Sequence, residues 1–178
     1  YRIYREHFQA DQRIVVPRVI GELSTRHVLV TEWIDGIGVD QWLTAQEGVP
    51  GAGALRSAVS VEIMHVLFEE LFVLGRIQSD PNPANFLVTP DGRLALLDFG
   101  ATQVIEPALA EGYRALSSAC VAKDDRALLR VCEDMGFLKA SDSALAKDAF
   151  MQMLALATEP FEQDEYDFGE AKLVSRMR

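Results

Sequence analysis

Apolar positions between Ala54 and Leu74 recur at steps of three and four: Leu55, Val59, Ile63, Val66, Leu67, Leu71 and Leu74. That period predicts a long core helix, and Gly75 stands where a helix C-terminus favours glycine. Downstream, Phe86 to Val88 and Leu94 to Leu97 form two short apolar runs around Thr89-Pro90-Asp91-Gly92. Proline second and glycine fourth suit a type I turn, so the two runs predict a β-hairpin. Beyond Gly100 the pattern is helical, over about 107–121, 124–135 and 142–158, followed by an acidic loop over 159–170 and a last short helix.

Upstream, Tyr1 to Gln9 fits the end of a helix. "RIVVPRVI" reads as an extended stretch that Pro17 confines to an edge or a strand end. "HVLVTEWI" (27–34) is β-branched and apolar and predicts a buried strand, closed by a turn at Asp35-Gly36. "VDQWLTAQ" predicts one or two helical turns with Asp40 near the start. The whole is an α+β arrangement, mainly helical with an inserted hairpin.

Between the long helix and the hairpin lies "QSDPNPANF", residues 78 to 86. An isolated Asp-Pro-Asn is ordinarily a surface turn. Here Asp80 is followed five positions on by Asn85, and thirteen further on by Asp98-Phe99-Gly100. A protein-kinase catalytic loop sets its Asp and metal-binding Asn in D-x-x-x-x-N, and a later Asp-Phe-Gly supplies a second magnesium ligand. A hairpin explains the spacing. Its arms return the chain, so Asn85 at the entry and Asp98 at the exit can face one Mg²⁺ that takes its other ligands from water and phosphate. Asp80 can then face an incoming hydroxyl or water. Such a set of residues at fixed offsets arises by chance in about one chain in ten thousand of this length. In a kinase a strand also leads into the hinge that meets adenine, which here corresponds to Glu32, Trp33 and Ile34, about fifty residues before Asp80.

Composition narrows the partners. The 178 residues carry a net charge of -10, and the 17 basic residues are scattered, which argues against nucleic acid. His7, His27 and His65 have no Cys or His neighbours at zinc-ligand spacing. Cys120 and Cys132 are expected to be buried thiols rather than a disulfide. No apolar run reaches the roughly 18 residues that span a bilayer. Tyr1 opens the chain inside a helical pattern, so a piece of a longer protein is expected.

Gln78-Ser79 stands where ordinary protein kinases have His-Arg, so no arginine is placed to clamp an activation-loop phosphate. No Ala-Pro-Glu follows Gly100, and the platform for a peptide substrate is missing. A small-molecule or lipid acceptor, or ATP hydrolysis, fits better.

"VPRVIGELSTRHVLVTEWIDG" followed by "QSDPNPANFLVTPDGRLALLDFGATQ" closely resembles the UbiB/ADCK family of atypical kinases, tied to coenzyme Q (ubiquinone) biosynthesis. The likeness runs from about Pro17 to Gln103, and the helical remainder is also similar. The resemblance implies a protein-kinase-like fold, ATP and Mg²⁺ as cofactors, and a role near the membrane that holds quinone intermediates. By position it makes Asp80 the catalytic aspartate and Asn85 and Asp98 the metal ligands. It also implies lipid, quinone-intermediate or quinone-biosynthesis protein partners, in the cytoplasm or peripheral to an inner membrane (the mitochondrial matrix side in a eukaryote).

The family's Lys-x-Gly-Gln extension, alanine-rich nucleotide loop, strand lysine and helix glutamate are absent from these 178 residues. The chain thus reads as residues 1–34 from the end of an N-lobe helix through edge strands to the hinge strand, and residues 35–178 as the C-lobe. By itself it is expected to be inactive. A small-molecule phosphotransferase of the aminoglycoside or choline kinase type shares the Asp/Asn/Asp set, but usually has His-Gly-Asp and lacks Asp-Phe-Gly-Ala-Thr. A non-catalytic scaffold that binds lipid or protein is the third reading, and it has no need of all three of Asp80, Asn85 and Asp98.

Overall fold

The computed structural model describes residues 1–80, 82–162, 166 and 173–176. The chain divides into two compact units, Tyr1–Ile105 and Glu106–Arg178. In the first, α1 (Arg2–Phe8) precedes β1 (Ile14–Val15), a 3₁₀ turn (Gly21–Leu23), β2 (Ile37–Gly38), α2 (Val39–Ala45) and α3 (Ala52–Glu69). After α3 come a π turn (Glu70–Leu74), β3 (Arg76–Gln78), a 3₁₀ turn (Pro83–Asn85), β4 (Phe86–Val88), β5 (Leu94–Leu96) and β6 (Thr102–Val104).

The expected hairpin is present, with Phe86 opposite Leu96 and Val88 opposite Leu94. Its turn closes through Gly92 N–H to Thr89 C=O (2.9 Å) and Thr89 N–H to Arg93 C=O (2.9 Å). Gly92 takes the left-handed φ of 84° that glycine adopts without a Cβ clash. β1 adds to β5 in parallel and β2 to β4 antiparallel, so the four-stranded order is β1-β5-β4-β2. A separate two-stranded ladder joins β3 and β6.

The long helix also forms, and Gly75 ends it in the left-handed conformation (φ 59°). Val59 and Val66 enter a core with Tyr4, Phe8, Ile14, Val16, Val39, Phe86, Val88, Leu94 and Leu96, against which Ile63 and Leu74 also pack. Leu55, read as part of the same stripe, instead lies 57% exposed near the helix start. The last turn widens from α to π, a local change that repetition at three and four does not encode.

The expected buried strand over 27–34 is not formed. Only Thr31 bridges, to Val19, flanked by Ile20 N–H to Val30 C=O and Glu32 N–H to Arg18 C=O, both 2.8 Å. Val28, Leu29 and Trp33 are exposed. A strand needs a neighbour along its length, and the free side of β4 is taken by β2 instead.

The second unit contains α4 (Pro107–Ala122), α5 (Asp125–Asp134), α6 (Ala144–Thr158), a 3₁₀ turn (Glu159–Glu162) and α7 (Leu173–Arg176). Pro107 opens α4, and the Asp124 and Ser143 side chains cap α5 and α6 by accepting from Ala127 N–H and Ala146 N–H. Leu128, Cys132 and Leu138 are buried, while Met153 is exposed. Phe137, 44% exposed, lies between Tyr113 and Phe150, at 6.4 Å from each. Cys120 and Cys132 are free thiols, and burial pushes both up from the ordinary thiol value. The Phe161 side chain and most of the acidic 159–170 stretch lie outside the described residues. No helix of the described residues is long and apolar enough to cross a membrane.

Candidate active site

The loop after β3 is tied to the Asp-Phe-Gly segment at both of its ends. At the entry, Ser79 N–H and Ser79 Oγ both donate to Ala101 C=O, at 3.2 and 2.7 Å. Gln103 Nε2 donates to the Ser79 hydroxyl (3.2 Å), and Gln78 Nε2 donates to the Asp98 carbonyl. At the exit, Leu97 N–H donates to Asn85 C=O (2.9 Å), which extends the β4–β5 ladder by one rung. With β3–β6 on one side and β4–β5 on the other, the Asp80–Asn85 loop and Asp98 are brought together.

Inside the loop, Asn82 Oδ1 accepts from Ala84 N–H (3.0 Å), and Asn85 N–H donates to Asn82 C=O (2.9 Å). Asn85 Nδ2 reaches back to the Asp80 carbonyl at 3.1 Å. The fixed separation of Asp80 and Asn85 therefore rests on hydrogen bonds as well as on Pro83; Pro81 lies outside the described residues. The amide nitrogen of Asn85 is committed inward, and its Oδ1 has no hydrogen-bond partner among the described residues. Asp98 Oδ1 accepts from Gly100 N–H (2.7 Å), and Oδ2 is likewise free. A Cβ on Gly100 would stand 3.1 Å from that same Oδ1.

Asn85 Oδ1 and Asp98 Oδ2 are hard oxygen donors on adjoining segments, the kind of ligand that suits Mg²⁺, which keeps most of its shell for water and phosphate. Among the described residues no three His, Cys, Asp or Glu side chains cluster as a metal site. The Asp80 side chain is exposed and unengaged among the described residues.

Phe99 packs under two tyrosines of the first helix. Its ring centroid is 4.8 Å from Tyr1, edge-on, and 4.3 Å from Tyr4. The Tyr1 hydroxyl donates to the Leu97 carbonyl. Burial, and then the nearby Asp98 charge, raise the Tyr1 phenol above its ordinary value.

Glu32, Trp33 and Ile34 are not joined to this cluster by any hydrogen bond among the described residues. Glu32 Oε2 accepts from Arg18 N–H (3.2 Å) and lies 3.8 Å from the Arg5 guanidinium. Trp33 is 85% exposed and its Nε1 donates to Asp35 Oδ1 at 2.9 Å. Three residues after Ile34, β2 begins and pairs with β4, so the segment feeds the edge of the β4–β5 hairpin. Sequence reasoning noted Gln78 and Ser79 only for the His-Arg they replace. Their adjacency to Asp80 was the available signal, and the structure makes them the clamps on Asp98 and Ala101.

This kinase-like α+β arrangement agrees with comparison to known proteins. Residues 2–132 match the ABC1 atypical kinase-like domain, and the chain belongs to that family, in agreement with the UbiB/ADCK resemblance. It is similar to the mitochondrial atypical kinase COQ8B of Danio rerio, 27% identical over 177 residues, 98% of this chain and 27% of that protein. Mitochondrial COQ8 of Saccharomyces cerevisiae is 27% identical over 174 residues, covering 94% of this chain and 33% of its own length. The chain therefore spans about a third or less of these curated relatives. In fold it is similar to the Mycobacterium tuberculosis protein of an Rv3197–erythromycin complex. The TM-score is 0.69 at 22% identity, over 99% of this chain and 43% of that one.

Proposed function

We propose that this chain carries the catalytic half of a Mg-ATP-dependent atypical kinase or ATPase that supports coenzyme Q biosynthesis. The reading is supported by the tethering of the Asp80–Asn85 loop to Asp98 with one oxygen of Asn85 and one of Asp98 left free. Asn85 Oδ1 and the Asp98 carboxylate hold the metal. Bound Mg²⁺ supplies charge neutralisation and orientation of phosphate oxygens. The Asp80 carboxylate accepts the proton of an incoming hydroxyl or water. Glu32, Trp33 and Ile34 meet the nucleotide base. The backbone N–H groups of Trp33 and Ile34 have no backbone partner among the described residues, whereas that of Glu32 is spent on Arg18.

The names of the COQ8 relatives favour quinone synthesis over an aminoglycoside or choline acceptor. A lipid or quinone intermediate, or another protein of quinone biosynthesis, is the partner, met at a membrane surface by peripheral association. A mitochondrial matrix location follows if the source is a eukaryote. Asp98→Asn in the full-length protein keeps the shape and removes the charge. Quinone output and Mg-ATP turnover are both expected to fall by at least about a hundredfold, in line with loss of a preorganised charged group. Unchanged quinone output would leave the scaffold reading in its place.

A further inference from the structure

Glu70 is a carboxylate with 4% exposure, at the first position of the π turn that ends the long helix. Its Oε1 accepts the Tyr4 hydroxyl at 2.7 Å. Tyr4 is itself 2% exposed and its ring lies 4.3 Å from that of Phe99. Three chain segments are therefore linked in order: α1 to the π turn through the Tyr4–Glu70 hydrogen bond, and the π turn across Gly75 to β3, the strand that enters the catalytic loop. The third of these delivers Gln78, whose side chain holds the Asp98 carbonyl.

A buried carboxylate is costly unless its donors are well placed, and an apolar residue would fill such a position at lower cost. Burial raises Glu70 above the ordinary carboxylate value, while the Tyr4 hydroxyl and the Gln78 backbone act in the opposite sense. Next to it, Glu69 Oε2 lies 2.6 Å from His7 Nε2, so two consecutive carboxylates anchor α1. Nothing in the proposed chemistry uses either group.

We infer that Glu70 and Tyr4 are positioning residues that hold Phe99, and through it Asp98, in the orientation that receives the metal-bound nucleotide. The inference rests on the reading of Asp98 as a metal ligand. Geometry carries it: the hydroxyl of Tyr4 fixes the ring that Phe99 packs on, and Phe99 is bonded directly to Asp98.

The test uses the full-length protein, with Tyr4→Phe, Glu70→Leu and the conservative Glu70→Gln. Tyr4→Phe keeps the ring contact with Phe99 and removes only the hydroxyl, so it remains informative where Glu70→Leu fails to fold. Hydrogen exchange of the 98–102 backbone without nucleotide is the first readout, and half-saturating Mg-ATP together with kcat is the second. Tyr4→Phe is expected to speed exchange at 98–102 and to raise half-saturating Mg-ATP about tenfold, with kcat at saturation changed less than about threefold. Glu70→Gln, which keeps an acceptor oxygen for Tyr4, is expected to restore both readouts to within about threefold of wild type. Unchanged exchange at 98–102 in Tyr4→Phe overturns the positioning role whatever nucleotide does. Faster exchange in a protein whose wild type binds no Mg-ATP overturns instead the reading of Asp98 on which the functional part depends.

Discussion

Alanine in place of Gly36 puts a methyl carbon 2.9 Å from Leu87 Cβ and 3.0 Å from the Val88 carbonyl oxygen. Carbon atoms in contact prefer about 3.5–4.0 Å, so the neighbours must part by about 0.6–1 Å. Neither is the loose end of a side chain. Both belong to β4, which Ile37 and Gly38 pair with directly. Relief therefore comes from shifting β2 or β4, and Asn85 is the residue immediately before β4. Overpacking of this kind costs about 1–3 kcal/mol, and the lower chain entropy of unfolded alanine returns up to about 1 kcal/mol. The net loss is about 1–2 kcal/mol. Urea denaturation reads it as a midpoint lowered by about 0.5–1 M at an ordinary slope. Gly21→Ala is the control, since its Cβ would meet nothing within 4 Å and its φ is not in the left-handed range. That variant is expected to be neutral or slightly more stable. If Gly36→Ala were as stable as Gly21→Ala, close approach of β2 to β4 would not be the reason for glycine here.

Asp11 offers a second, pH-dependent check. Hydrogen bonds from the Arg13 guanidinium, opposed by burial and aided by the Arg13 backbone N–H and His65, hold its carboxyl down at about 2. A depressed carboxyl stabilises the fold above its ordinary value of 3.8 and loses that contribution as pH falls towards 2. Because the Arg13 partner is about half exposed, Asp11→Asn is expected to cost only about 1 kcal/mol at neutral pH. The gap in unfolding free energy between the two proteins should close on acidification. A gap that stays constant down to about pH 2 would remove the ion pair as its cause. Separately, the 178 residues expressed alone are expected to bind Mg-ATP more weakly than micromolar, on the proposed function and because the strand lysine that the UbiB/ADCK resemblance sets against the phosphates is not among them. Isothermal titration that returned a micromolar constant would show that the nucleotide needs nothing beyond these residues.

Local rules account for the elements that sequence reading placed well. Thr89-Pro90-Asp91-Gly92 sets its own turn, Gly75 can adopt the left-handed φ of 59°, and Asp124 and Ser143 cap helices within three residues of themselves. Each depends on neighbours along the chain. The failures depend on neighbours in space. "HVLVTEWI" has strand composition, but its main-chain groups found one short bridge at Thr31, and Val28, Leu29 and Trp33 were left to solvent. Glycine at position 36 marked a turn in the sequence, yet the structure ties it to the approach of β4 rather than to a left-handed φ. Leu55 obeys the helical period and still faces water, because the core lies under Val59 and Val66.

The site divides in the same way. Spacing alone named Asp80, Asn85 and Asp98, because a hairpin of fixed length returns the chain to where it began. The sequence by itself also determined the helix-hairpin-helix order and the family wording of the loop. Tertiary structure decided the rest: Gln78 and Ser79 became clamps on the Asp-Phe-Gly segment, Tyr1 and Tyr4 the bed for Phe99, and Glu70 a buried anchor. Those contacts join residues 20 to 100 positions apart. No local propensity encodes them, since they exist only once the core has brought α1, the π turn and the hairpin to one place.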